Sequence, residues 1–161
     1  MPGLLDKSLA TNAIGLVLPT IKKAMREGVV KRRHLAIVIV DNEICEPISP
    51  LVEYFIGGKK NWKHPYDKIA WDKIHLSIRT GFDSGYVISQ APHLLLDYDP
   101  PYAGSVADEG FIVACSGVQS YFDEMFARMI AAACKALCQE KMAIEVLPSG
   151  RGTVGVNPDL E

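Results

Sequence analysis

The densest run of side chains able to bind an ion or move a proton is Trp62-Lys63-His64-Pro65-Tyr66-Asp67-Lys68, continued by Asp72, Lys73, His75 and Arg79. At helical spacing positions 68, 72, 75 and 79 share a face, so Lys68, Asp72, His75 and Arg79 could line a pocket for an anion. The same spacing also suits a solvated face carrying Lys68–Asp72 and Asp72–His75 pairs, and it leaves both readings open. His64, His75 or Asp123 has the chemistry of a general base, Lys73 or Arg79 that of a carboxylate holder, and Tyr66 or Tyr102 that of a proton donor. Trp62, Tyr66 or Phe111 would give such a pocket aromatic walls. No two of the four histidines sit at metal-ligand spacing, and no HExxH pattern occurs, so no metal site is expected.

The cysteines are weaker candidates. Cys134 and Cys138 lie one helical turn apart among alanines, which reads as core. Cys115 precedes Ser116-Gly117 at a strand-to-helix passage, where helix amides favour a thiolate, but its apolar strand predicts a buried, inert thiol. Ser116 and Ser120 suit turn and capping roles. Lys22, Lys23, Arg26, Lys31, Arg32 and Arg33 concentrate positive charge without interleaved aromatics, and read as a solvated helix face and loop.

These residues need elements to hold them. Leu9, Ala13, Leu16, Val17, Ile21, Ala24 and Met25 recur at helical steps, predicting a helix from Ser8 to Gly28 that is kinked or restarted at Pro19. Leu35 to Val40 is apolar without alternation and predicts a strand covered on both faces, followed by a turn at Asp41-Asn42 and a second, antiparallel strand at about Glu43 to Pro47. Pro47 to Gly58 has no assignable pattern. His64-Pro65 opens a helix, with proline at the first helical position, that runs to about Thr80 and stops at Gly81. An irregular, proline-rich stretch leads to a strand within Val106 to Cys115, mainly Phe111 to Cys115. Ser120 and Asp123 resemble a capping box before a helix from Tyr121 to about Lys141, whose stripe reads as Phe122, Met125, Phe126, Met129, Ala132, Ala133, Ala136 and Leu137. Ala143 to Leu147 suits a last strand, and Ser149 to Glu161 a loose tail. Helices interleaved with strands, lacking a glycine-rich phosphate turn, predict an α+β domain with helices layered on an antiparallel sheet.

Composition narrows the class. The 161 residues make one domain, and 48% hydrophobic with 22% charged residues is ordinary globular usage. Seventeen Lys and Arg against nineteen Asp and Glu give a net charge of −2, so no positive excess is available for nucleic acid. The apolar runs fall well short of the roughly 20 residues that cross a bilayer, so no membrane partner is expected. Asp6 and Lys7 interrupt the stretch where a secretion signal would be apolar, which predicts a cytoplasmic protein with reduced thiols.

Four stretches, in this order, carry a resemblance: Leu35 to Asn42; Asp72-Lys73-Ile74 with Thr80-Gly81; Ser105-Val106-Ala107-Asp108-Glu109-Gly110; and Cys115-Ser116-Gly117 followed by Asp123 and an alanine-rich helix. Together they resemble the GlcG family, which includes heme-binding HbpS-type proteins and the C-terminal domain of PduO-type proteins. The resemblance implies a profilin-like three-layer α/β/α fold with a central antiparallel sheet, a single domain over 1–148 and a tail over 149–161. It also implies a homo-oligomer with a pocket near subunit contacts, in which heme is a candidate cofactor. Lys73 and Asp123 are the polar side chains it carries across. Phe111-Ile112-Val113-Ala114 departs from the family's glycine-spaced strand, and the loop from Gly57 to His64 is bulkier. The expectation is a small-molecule-binding protein, for heme or a small organic or aromatic acid. The alternative is a cofactor-independent lyase, isomerase or hydrolase acting on such an acid. His64, His75, Lys73 and Asp123 are the candidate catalytic groups, and Arg79, Trp62, Tyr66, Tyr102, Phe111 and Ser116 the candidate binding groups.

Overall fold

Side chains alternate across a strand, so six apolar residues in a row must bury two faces. Strand β1 (Leu35–Asp41) does so: Leu35, Ile37 and Ile39 enter one core, and Ala36, Val38 and Val40 the other. In the computed structural model, which describes residues 4–42 and 47–146, β1 is central. It pairs antiparallel with β2 (Pro50–Ile56) on one side and β4 (Phe111–Ser116) on the other, and β3 (Ser105–Asp108) completes the order β2-β1-β4-β3. Helices α1 (Lys7–Arg26) and α4 (Ser120–Lys141) cover one face through Ile14, Val17, Ile21, Phe126 and Ile130. Helix α2 (Tyr66–Thr80) covers the other through Ala70 and Ile74. The fold is therefore the expected α+β type, helices layered on a four-stranded antiparallel sheet.

Several local expectations are corrected. Helix α1 is not restarted at Pro19. The carbonyl that Pro19 leaves without a helical donor belongs to Gly15, which is exposed, so water can serve it. The expected strand at about Glu43 to Pro47 falls on residues 43–46, which lie outside the described residues, and on Pro47, which is in a bend; β2 occupies the stretch that had no assignable pattern. As an edge strand β2 buries only Val52 fully, and its register shifts opposite Ile39 and Val40, which blurs the alternation. Pro65 caps α2 from outside, Tyr66 being the first helical residue, while Gly81 ends it at φ 77° as expected. The proline-rich stretch contains a two-turn helix, α3 (Ser84–Gln90), too short to show periodicity. The strand expected mainly over Phe111 to Cys115 is present as β4, and β3 precedes it in a hairpin that turns at Gly110.

Helix α4 is rotated relative to the expected stripe. Its buried residues are Asp123, Phe126, Ala127, Ile130, Ala131, Cys134 and Cys138, whereas Met125, Ala132 and Ala136 face outward. Ser120 and Asp123 form no capping box; Gln119 is the cap residue and makes no side-chain cap bond. Residues Met142–Val146 form a π-helical turn where a strand was expected, and Leu147 and the tail over 149–161 lie outside the described residues. No helix among the described residues is long and apolar enough to cross a membrane.

Candidate functional site

Antiparallel pairing of Ala36 with Ser116 brings the residues before β1 and those after β4 to the same end of the sheet. There Lys31 and Arg32 meet the β4–α4 connection, the Lys31 N–H donating to Gln119 Oε1 at 3.1 Å. The start of α2, with Lys63 and His64 before it, arrives from the other layer. A cavity of about 670 Å3 opens between them, within the size range of small-molecule sites.

Its floor is a buried ion pair. Lys73 is 1% exposed and Asp123 2%. Lys73 Nζ donates to Asp123 Oδ2 at 3.2 Å and to the Cys115 carbonyl at 2.9 Å, while Asp123 Oδ1 accepts the Val118 N–H at 3.1 Å. The inward stripe of α2, through Tyr66, Ala70, Lys73 and Ser77, explains the lysine, and the rotation of α4 explains the aspartate. Burial raises the Asp123 pKa to about 6, against the lowering effects of Lys73 and the Val118 N–H. Burial likewise lowers the Lys73 amine from its ordinary value, against the pull of Asp123. Gly104 makes room for the pair: a Cβ there would stand 2.5 Å from both Lys73 Nζ and the Cys115 carbonyl oxygen.

Three further buried serines, Ser77, Ser84 and Ser105, are hydrogen-bonded behind the ion pair. Ser77 and Ser105 hydroxyls lie 2.7 Å apart, Ser105 Oγ donates to the Lys73 carbonyl at 3.0 Å, and Ser84 Oγ accepts the Gly104 and Ser105 N–H groups, each at 3.0 Å. Such bonds are what make burial of these groups tolerable.

The cavity gathers six of the ten candidate residues: His64, Tyr66, Lys73, Tyr102, Ser116 and Asp123. The other four lie elsewhere. Trp62 packs edge-on against Tyr66 at 5.4 Å and lines a neighbouring surface cleft. Phe111 stands at the opposite end of β4 from Ser116, about 17 Å along the strand, beside Asp41 and Asp108. His75 is exposed beside Trp71, and Arg79 is forked onto Asp99. With Lys68 and Asp72 paired at 2.7 Å, the 68–72–75–79 face is the solvated one. Sequence reasoning missed Lys31, Arg32, Lys63, Gln119 and Tyr121, all of which line the cavity. Lys31 and Arg32 are exposed on a loop as expected, and they also line the cavity; the signal that could have found that was the antiparallel neighbourhood of β1 and β4.

Cys115 is fully buried, and burial next to the Asp123 charge pushes its thiol well up, so it is not a nucleophile. Cys134 and Cys138 are buried core residues. Among the described residues no group of three or more His, Cys, Asp or Glu is placed to hold a metal ion. Of the lining residues His64 is the histidine that could serve as an axial ligand to heme, and it is exposed.

No protein-family model, no curated protein and no solved structure matches the chain.

Proposed function

We propose that the protein binds a small organic acid, aromatic members included, in the cavity above Lys73 and Asp123. The observation that carries this reading is the charge of the walls. Lys31, Arg32, Lys63 and His64 surround one lined opening whose acidic member, Asp123, is already paired with Lys73. Cations converging on a concave, partly desolvated site attract and orient a carboxylate. Tyr66, Tyr102 and Tyr121 add ring surface and hydroxyl groups suited to an aromatic acid.

The proposal includes divergent membership of the GlcG-like family with its profilin-like fold. The proximity of Lys73 and Asp123, the two polar residues carried by that resemblance, supports it. It also includes a cytoplasmic location and a homo-oligomeric state. Tyr102, 56% exposed, and Tyr121, 64% exposed, both at the cavity mouth, offer a second subunit apolar surface.

The test is ligand-induced thermal stabilisation with benzoate and 3-phenylpropionate, using benzamide as the neutral comparator. Carboxylates are expected to raise the melting temperature with concentration, and the amide not to. The paired substitutions Arg32→Glu and Lys63→Glu are expected to abolish the shift. An equal response to amide and acid would overturn the reading.

A second reading, cofactor-independent acid–base catalysis on the same acid, is favoured by the Lys73–Asp123 pair itself. A carboxyl group raised to about 6 by burial, hydrogen-bonded to a buried lysine whose charged form is likewise disfavoured, has the character of a general acid–base group. In that reading Asp123 or His64 is the base, and His75 and Arg79 play no part.

A further inference from the structure

We infer that Lys73 is a nucleophile that forms an imine with an oxo acid, a carboxylate that also bears an aldehyde or ketone, bound in this cavity. The inference rests on the organic-acid reading of the site and names the carbonyl chemistry that its floor is built to perform.

Four observations support it. Lys73 lines the cavity and is 1% exposed, unlike surface lysines, which are solvated and unselective. A neutral amine has two N–H donors and one lone pair, and Nζ has two acceptors, the Cys115 carbonyl and Asp123 Oδ2. Once Asp123 Oδ2 has taken the proton it donates back along that contact, so Nζ keeps the Cys115 carbonyl as its acceptor, and the lone pair is released for attack as the Asp123 proton turns to the carbonyl oxygen. Asp123, at 3.2 Å, can take the proton that must leave the ammonium first, so the neutral amine forms inside the pair without a base from solvent. Burial, which disfavours the charge on both partners, lowers the cost of that internal transfer.

The step balances without an added reagent. Nζ passes one proton to Asp123, and its lone pair forms a C–N bond to the carbonyl carbon as the C=O π bond breaks. The carbonyl oxygen receives the proton held by Asp123, giving a carbinolamine. The C–O bond then breaks, water leaves with a second proton taken from nitrogen by way of Asp123, and a C=N bond remains. The sum is ammonium plus carbonyl giving protonated imine plus water, Asp123 ending as the carboxylate beside it, with nothing oxidised or reduced. Lys31, Arg32 and Lys63 hold the carboxylate of the same molecule, which selects oxo acids over simple aldehydes.

The experiment incubates the full chain with phenylpyruvate and sodium cyanoborohydride, which reduces an imine to a stable amine, and maps the adduct by mass spectrometry. The expected result is one adduct per chain, located on Lys73, lost in Lys73→Arg and suppressed by excess 3-phenylpropionate, which has the carboxylate but no carbonyl. Mapping in the unmodified sequence decides the matter even if the variant folds poorly. Adducts spread over exposed lysines, or equal labelling in Lys73→Arg, would overturn the proposal. Thermal stabilisation by both phenylpyruvate and 3-phenylpropionate with no adduct on Lys73 would overturn the imine while leaving the organic-acid reading in place. Absence of both stabilisation and adduct would overturn the two together.

Discussion

Replacing Asp123 with Asn removes one charge from the floor of the cavity and changes the shape little. At pH 7 an Asp123 that titrates near 6 is ionised and keeps Lys73 charged. In Asp123→Asn the ammonium is 1% exposed with the Cys115 carbonyl as its remaining acceptor. Breaking one side of a buried ion pair costs about 3–5 kcal/mol. An independent ceiling comes from the amine's freedom to shed its proton: deprotonating an ordinary lysine at pH 7 costs roughly 3.4 pH units, about 4.6 kcal/mol. The two figures agree on a loss of about 4 kcal/mol. With a urea slope of about 2 kcal/mol per molar, the unfolding midpoint falls by about 2 M. The pH dependence has a definite sign. In the variant the folded-state pKa of Lys73 lies below its unfolded value, so the unfolded chain binds more protons and stability rises with pH until about 10.4. Asp123→Asn should therefore recover between pH 7 and 9.5 more steeply than the unsubstituted protein, and adding Lys73→Met at pH 7 should restore most of the loss. Urea unfolding monitored by tryptophan fluorescence measures all three. A loss under about 1 kcal/mol at pH 7, or a deficit that stays flat to pH 9.5, would refute the buried ion pair.

Three further outcomes follow from the same structure. A carbon-13 carboxyl titration should place Asp123 near 6; because its folded pKa is raised, its contribution to stability is full below about 3.9 and disappears as pH rises through 6, a change of about 3 kcal/mol, and a midpoint below 4 would remove it. Gly117→Ala should lower stability by at least about 2 kcal/mol in the same urea assay, since φ is 151° and a Cβ would collide with the His34 carbonyl. Gly15→Ala should raise it by about 0.5–1 kcal/mol, because Gly15 is exposed within α1 and the added methyl meets nothing within 4 Å.

The parts legible in the sequence are those that local chemistry decides. Leu35 to Val40 could only be a strand buried on both faces, and Gly81 could only end a helix whose last residue is Thr80. Where tertiary contact decides, the sequence was silent or misleading. Strand β2 lies at a sheet edge, so its burial is too uneven to alternate, and α4 could be wound with either of two adjacent stripes inward. That second ambiguity left the burial of Asp123 unread: the residue was a candidate base, but its spacing from Ser120 suggested a capping box, whereas in the observed stripe it is 2% exposed. His75 and Arg79 were misplaced for the complementary reason. Residues 68, 72, 75 and 79 do share a face, but the inward stripe of α2 is 66, 70, 73 and 77. Helical spacing states which residues stand together and not which way they point.

The buried pair is better explained by position than by stability. Paired apolar residues of similar volume would hold the layers together at least as well as a lysine and an aspartate taken out of water. The pair nonetheless joins three elements that no apolar contact would register in the same way. Lys73 of α2 bonds the end of β4 through the Cys115 carbonyl and the first turn of α4 through Asp123, and Asp123 in turn bonds Val118 in the connection between them. The connection from Gly117 to Gln119 is one wall of the cavity, and Gln119 anchors the loop that presents Lys31. Hydrogen bonds fix distance and direction, so the pair sets where the cationic walls stand relative to the floor. A ligand whose carboxylate meets Lys31, Arg32 and Lys63 is thereby held at a defined height above Lys73, which is the requirement for a reacting carbonyl and not for the fold.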